Sequence, residues 1–133
     1  MAKYQDLYEK GRETFGEDAV ALYTESLKWY AGGDNVSWLC RAEELNGLQR
    51  YEEALHDAEK WIGDKPNPSR FMGWFQKGLA LFGLERYEEA LASFDEAIRL
   101  NHGWCQFYLA RAATKQALGM SYKQDIELAK EWG

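Results

Sequence analysis

The segment Tyr51-Glu52-Glu53-Ala54-Leu55 recurs as Tyr87-Glu88-Glu89-Ala90-Leu91, displaced by 36 residues. Self-similarity at a period of roughly 20–50 residues is the mark of a repeat architecture and narrows the fold more than composition does. The same displacement relates Trp38 to Trp74, Ala42 to Gly78, Leu48 to Leu84, Arg50 to Arg86, Ala58 to Phe94 and Ile62 to Ile98, so two whole units are in register. A more diverged copy follows. Tyr108, Ala112 and Leu118 lie 34 residues beyond Trp74, Gly78 and Leu84, and Tyr122, Ile126 and Ala129 lie 35 beyond Tyr87, Leu91 and Phe94. Upstream, Ala19, Tyr23 and Leu27 lie 35 before Ala54, Ala58 and Ile62, while Gly11 lies only 31 before Ala42, so the first copy has a shortened turn.

Within a unit the small and apolar residues recur at intervals of three and four: Trp38, Ala42 and Leu45, then Tyr51, Ala54, Leu55, Ala58 and Ile62. That spacing predicts two amphipathic helices per unit. Each helix would be about 20 Å long, and short connections such as Gly47-Leu48-Gln49-Arg50 force neighbours to run antiparallel. The only two prolines fall within residues 65–68, which leaves the rest free of the strongest helix breaker and makes the chain all-α. The expected spans are 3–14, 17–31, 35–47, 51–63, 69–82, 87–100, 104–118 and 121–132. Asn67 is placed to cap a helix with Pro68 at its first position, Ser121 and Gln124 read as a capping box, and Gly63 and Gly119 fit helix ends.

At 133 residues and 15.4 kDa the chain has the length of one domain, 1–133, read as units of roughly 1–34, 35–68, 69–103 and 104–133 with the outer two degenerate. Hydrophobic residues make up 46%, enough to build a core and too many for a disordered chain. No apolar run approaches the roughly 18 residues needed to span a bilayer, and the first residues lack the apolar run of a secretory signal, so a soluble, cytoplasmic protein without membrane insertion is expected. The net charge is −6, the wrong sign for a phosphate-backbone binder, which argues against nucleic acid. All of that excess falls in residues 1–66, with 14 acidic against 8 basic side chains. It reads as a solvated helix face in preference to a dock for a basic partner. Cys40 and Cys105, with His56 and His102, supply neither a disulfide framework nor the ligand spacing of a metal site, so no metal and no cofactor are expected. Without a phosphate loop or a nucleophile elbow, the chain is not expected to be an enzyme. Cys40 reads as a buried small residue in preference to a reactive thiol, and His56 as part of a solvated face.

Trp74, Gly78, Leu84, Tyr87, Ala90, Phe94 and Ala97 form a pattern that resembles the tetratricopeptide repeat, with Lys77 where Leu is usual and His102 where Pro is usual. The second unit shares Trp38, Ala42, Tyr51, Ala54 and Pro66. The resemblance implies three to four repeats in a right-handed superhelix of helical hairpins, a TPR-like α-solenoid. It also implies that the first helix of each pair lines a concave surface holding a peptide or partner chain. The inward residues would be Tyr8 and Arg12 in the first unit and Leu39, Cys40 and Glu43 in the second. In the third they would be Met72, Phe75, Gln76, Leu79 and Phe82, and in the fourth Gln106, Leu109 and Ala113. Trp61 and Trp132 depart from the family, which has a small residue there. Both are expected to fill gaps between helices, the alternative being an exposed aromatic used in self-association.

The family's best known subgroup grips acidic chaperone tails through a carboxylate clamp of Lys, Asn, Asn, Lys and Arg. The corresponding positions here are Tyr8, Arg12, Cys40, Met72 and Gln76, and none keeps its clamp residue, so clamp-type tail binding is not expected. Met72, Phe75, Leu79, Phe82 and Leu109 instead form an apolar stripe, which is either a groove for an apolar or amphipathic segment or core covered by residues 104–132. The resulting expectation is a protein-binding adaptor, including a co-chaperone-like scaffold, that takes a peptide segment of another protein. The alternative is a structural module acting through homo-oligomerisation.

Overall fold

A computed structural model describes residues 3–63 and 69–133. These form eight helices: α1 (Lys3–Arg12), α2 (Gly16–Trp29), α3 (Ser37–Gly47), α4 (Tyr51–Ile62), α5 (Arg70–Gly83), α6 (Tyr87–Leu100), α7 (Cys105–Ala117) and α8 (Lys123–Trp132), with no strand among the described residues. Each helix packs against the next in chain order, and α3 touches α5, and α5 touches α7, directly. No comparable packing links α2, α4, α6 and α8 to one another. First helices therefore crowd together while second helices splay apart, which gives the solenoid its tighter side along α3, α5 and α7.

The repeat is written into the turns. Arg50 N–H reaches Leu45 C=O at 2.8 Å, Arg86 N–H reaches Leu81 C=O at 2.9 Å, and Met120 N–H reaches Lys115 C=O at 2.8 Å. In each case the residue before the donor is left-handed: Gln49 and Glu85 at φ 61° and Gly119 at φ 73°. This is the six-to-one closure that ends helices, and glycine adopts it without a Cβ penalty. Gln49 and Glu85 accept that strain, so Glu85→Gly is expected to stabilise the fold by roughly 0.5–1 kcal/mol, read as a raised denaturation midpoint in urea. An unchanged or lower midpoint would refute it.

Gly63 ends α4 as expected, with its N–H on Glu59 C=O at 3.1 Å. The Asn67–Pro68 cap and the unit end at Pro66 lie outside the described residues. The capping box at Ser121 and Gln124 is not formed: α8 begins at Lys123 after Tyr122, with no side-chain cap. Starting there puts Gln124 too early in the first turn to answer Ser121, and brings Asp125 inward instead, fully buried.

Packing between the helices of a pair obeys a size rule. A Cβ added at Gly78 would lie 2.4 Å from the ring of Phe94, and one at Gly11 would lie 2.5 Å from the ring of Tyr23. Where the second helix carries Ala58 in that register, the first helix carries Ala42, and both are fully buried. Trp61 is accommodated in the same way, because Gly73 on α5 leaves its ring the space a Cβ would take. Trp61 is buried with Leu27 and Trp38, as expected of a gap filler. Trp132 is not: it is 45% exposed and meets the edge of His102 at 5.3 Å. α8 finds its packing against α7, which leaves the Trp132 end of the helix open.

Two ion pairs are set inside the array. Arg41 on α3 donates twice to Asp57 on α4, at 2.6 and 2.8 Å, and once to Thr24 on α2 at 3.1 Å. Arg111 on α7 sits at the matching place, donating to Asp125 on α8 at 2.7 and 3.0 Å and to Asp95 on α6 at 3.0 Å, with Lys115 also 3.1 Å from Asp125. Each arginine thus ties three successive helices.

Candidate functional site

The face formed by α1, α3, α5 and α7 carries the residues the sequence singles out. α5 is the most apolar of them. Phe75, Leu79 and Phe82 pack against the main core formed by Leu45, Leu55, Leu81 and Phe94, and each stays half-buried, as does Met72. Phe75 divides its ring between Phe94 of α6, at 5.8 Å, and Phe107 of α7, at 4.8 Å, and Phe82 meets Tyr87 at 5.2 Å. The covering that Phe75 receives thus comes from α7 and α6, while α8 lies against α7. Leu109 continues the stripe on α7 and is 49% exposed, with Gln106 and Ala113 exposed beside it.

Gln76 departs from its expected place at the surface: it is only 4% exposed. The cause lies on α3. Asn46 donates through Nδ2 to the Gln76 backbone oxygen at 3.0 Å and to its Oε1 at 2.9 Å, drawing the side chain into the α3–α5 seam. Asn46 is the residue that sequence reading missed. It lies one helical turn beyond Glu43 on the same side of α3, and nothing in the spacing of that helix singles it out.

At the other end of the face, Tyr8 is half-buried, its ring tilted against that of Tyr23 at 6.3 Å. Arg12 is exposed, 3.8 Å from Glu9 and over the Tyr8 ring. Leu39 is half-buried against the cluster of Leu27, Trp38 and Trp61. Burial, aided by the charge of Glu43, pushes the Cys40 thiol up to about 11, so it is protonated at neutral pH and a poor nucleophile. Burial also raises the Glu43 carboxyl above its ordinary value, with neighbouring Glu44 adding to the effect. Glu44 itself turns away to accept the Gly16 N–H at 2.9 Å, supplying the cap that Phe15 cannot give α2.

Two open clefts flank these helices. One, of about 450 Å³, lies between α1 and the start of α3 and includes Tyr4, Tyr8 and Asn35. The larger, of about 580 Å³, opens between α2 and α4 over the Arg41–Asp57 pair. Both of its arginines are paired, Arg41 with Asp57 and Arg50 with Glu17 and Glu53. Neither of these clefts includes Met72, Phe75, Leu79 or Phe82. Among the described residues no group of three or more His, Cys, Asp and Glu side chains is arranged to hold a metal ion. No helix of the described residues is long and apolar enough to cross a membrane.

Comparison with known proteins agrees with this geometry. Residues 72–103 match the tetratricopeptide repeat family. No curated protein matches the sequence. Among solved structures, the first TPR of Spaghetti (RPAP3) bound to the HSP90 peptide SRMEEVD is 23% identical, with a TM-score of 0.80 over 88% of this chain and 94% of that one. The Arabidopsis OM64 TPR domain is 23% identical, with a TM-score of 0.77 over 85% and 94%. MamA of MSR-1 is 22% identical, with a TM-score of 0.71 over 86% of this chain, which spans 65% of that protein's length. At these identities the likeness is one of fold. The small-against-large pairing of Gly78 with Phe94 falls inside the matched segment. Residues 72–103 thus match one tetratricopeptide repeat, set in a solenoid of helical hairpins that has the fold of such domains.

Proposed function

We propose that residues 1–133 act as one protein-binding domain of four hairpin units that holds an apolar or amphipathic segment of another protein on the face of α1, α3, α5 and α7. The observation that carries this reading is the stripe of Met72, Phe75, Leu79 and Phe82, continued by the 49%-exposed Leu109, on the side where first helices touch one another. A segment laid across it would bury apolar area at about 25 cal/mol per Å², and Met72 can adapt its shape. Acidic chaperone tails are not the ligand of this reading, because the clamp positions hold Tyr8, Arg12, Cys40, Met72 and Gln76, and Gln76 is occupied by Asn46.

Leu109→Glu and Leu79→Glu are the informative variants, since Phe75 is also held between the rings of Phe94 and Phe107. A partner captured from native lysate by the parent, then purified, is expected to bind both variants at least about ten-fold more weakly while circular dichroism stays unchanged. Titration with the SRMEEVD peptide is expected to give no salt-sensitive binding. Equal partner affinity for parent and variants would sink the groove, and tight, salt-sensitive binding of the acidic peptide would restore the clamp. A second reading, self-association, is favoured by the exposure of Trp132 at the end of α8. It requires concentration-dependent mass in sedimentation, lost in Trp132→Ala.

A further inference from the structure

Two hydrogen-bond acceptors on α3 have no donor. Asn46 spends its amide nitrogen on two oxygens of Gln76, which fixes its orientation and leaves Oδ1 as a buried acceptor without a partner. One turn earlier on the same side of the helix, Glu43 is exposed as a residue although its carboxyl is partly desolvated, and it makes no hydrogen bond or ion pair among the described residues. The cations that could neutralise it are engaged elsewhere. Arg12 lies by Glu9 and over Tyr8, Arg41 is bound to Asp57, and Lys77 is turned to Glu59 at 3.7 Å and over Trp74. Across the seam, the residues that α5 brings to this face, Met72, Phe75, Leu79 and Phe82, carry no charge. An unpaired carboxylate therefore stands on the helix that borders the apolar wall, while the Asn46 amide oxygen is sealed inside the α3–α5 seam. A ligand that buries the wall must bring a donor to the Glu43 carboxylate or leave it desolvated and unsatisfied, which is unfavourable.

We propose that the groove selects a segment in which a lysine or arginine is flanked by apolar residues, the cation meeting Glu43. The proposal rests on the groove reading above and gives it a charge preference opposite to that of an acidic tail. The acidic excess of residues 1–66, the half that contains α3, acts in the same direction at longer range. Burial already raises the Glu43 carboxyl above its ordinary value, a shift that an arriving cation reverses.

The probe is a displayed library of random peptides selected against the immobilised full chain, against Glu43→Lys and against Leu79→Glu, each checked for helicity. Peptides enriched on the parent are expected to carry Lys or Arg between apolar residues, and their retention by Glu43→Lys is expected to fall about ten-fold or more. Enriched peptides that are apolar but uncharged, or that are acidic, would overturn the charge preference while leaving the groove standing. Basic peptides retained equally by Glu43→Lys would overturn the role of Glu43. An absence of any enrichment over Leu79→Glu would remove the groove reading and this inference with it.

Discussion

Replacing Arg41 with methionine is expected to destabilise the fold by about 3–5 kcal/mol, because it leaves a buried carboxylate without its counter-ion. Asp57 is only 1% exposed and Arg41 18%, so water screens the pair poorly from either side. With Arg41 removed, the charge of Asp57 faces only the ring of His56, whose Nδ1 is 3.3 Å away. Nor does the loss stay local, since the guanidinium also binds Thr24 on α2 and so joins the first hairpin to the second. The double replacement Arg41→Met with Asp57→Leu removes the charge along with its partner, and most of the stability is expected to return, as it does when buried pairs elsewhere are exchanged for apolar residues of similar size. Urea unfolding of the parent, both single variants and the double variant closes the cycle. A loss below about 1 kcal/mol in Arg41→Met would mean that the pair behaves like a surface salt bridge.

The second large effect belongs to the contact of Gly78 with Phe94. Phe94 is fully buried, and Phe94→Ala is expected to lose about 3–5 kcal/mol through the cavity it leaves. Gly78→Ala is expected to lose about 1–3 kcal/mol despite alanine's better helix propensity, because its Cβ would press to 2.4 Å from a ring held by Phe75 and the core. The two losses are not additive. Together the substitutions recreate the Ala42 and Ala58 pair of the preceding unit, so the double variant is expected to be more stable than the sum of the singles predicts. Thermal unfolding of the four proteins measures the coupling, and strict additivity would show that Gly78 is not there to admit the ring.

What could be read from the sequence follows from how local its causes are. The pairing of Tyr51-Glu52-Glu53-Ala54-Leu55 with its copy at residue 87 gave the period, and the three-and-four spacing of small residues gave all eight helices to within two residues at their ends. These signals are internal to a helix or a hairpin. The failures are relations between elements. Whether Trp132 is covered depends on what packs beside α8, and periodicity assigns a face without saying whether that face is filled. Ser121 looked like a cap because its own neighbours matched the motif, yet Asp125 is fixed by Arg111 and Lys115 on another helix, and that register moves the helix start. Gln76 was assigned to the open concave surface by counting along α5 alone, and Asn46, 30 residues earlier, draws it into the α3–α5 seam. The face of α1, α3, α5 and α7 was therefore legible as a list of helices, with Glu43 among its residues, while the contact of Asn46 with Gln76 was not.

The serial packing of the helices has a consequence for how damage spreads. Each hairpin holds on to the ones before and after it and to little else. An end hairpin that melts gives up one junction, but a melted hairpin in the middle gives up two and leaves the flanking pieces without support from each other. The same substitution should therefore be felt more keenly in α4, α5 or α6 than in α1 or α8, and the amides slowest to exchange with solvent should lie around Ala54, Ala80 and Ala90, with protection falling away in both directions along the chain. The chain would come apart as a tape that frays from its ends, and the stretch least able to fray is the one that carries the apolar wall.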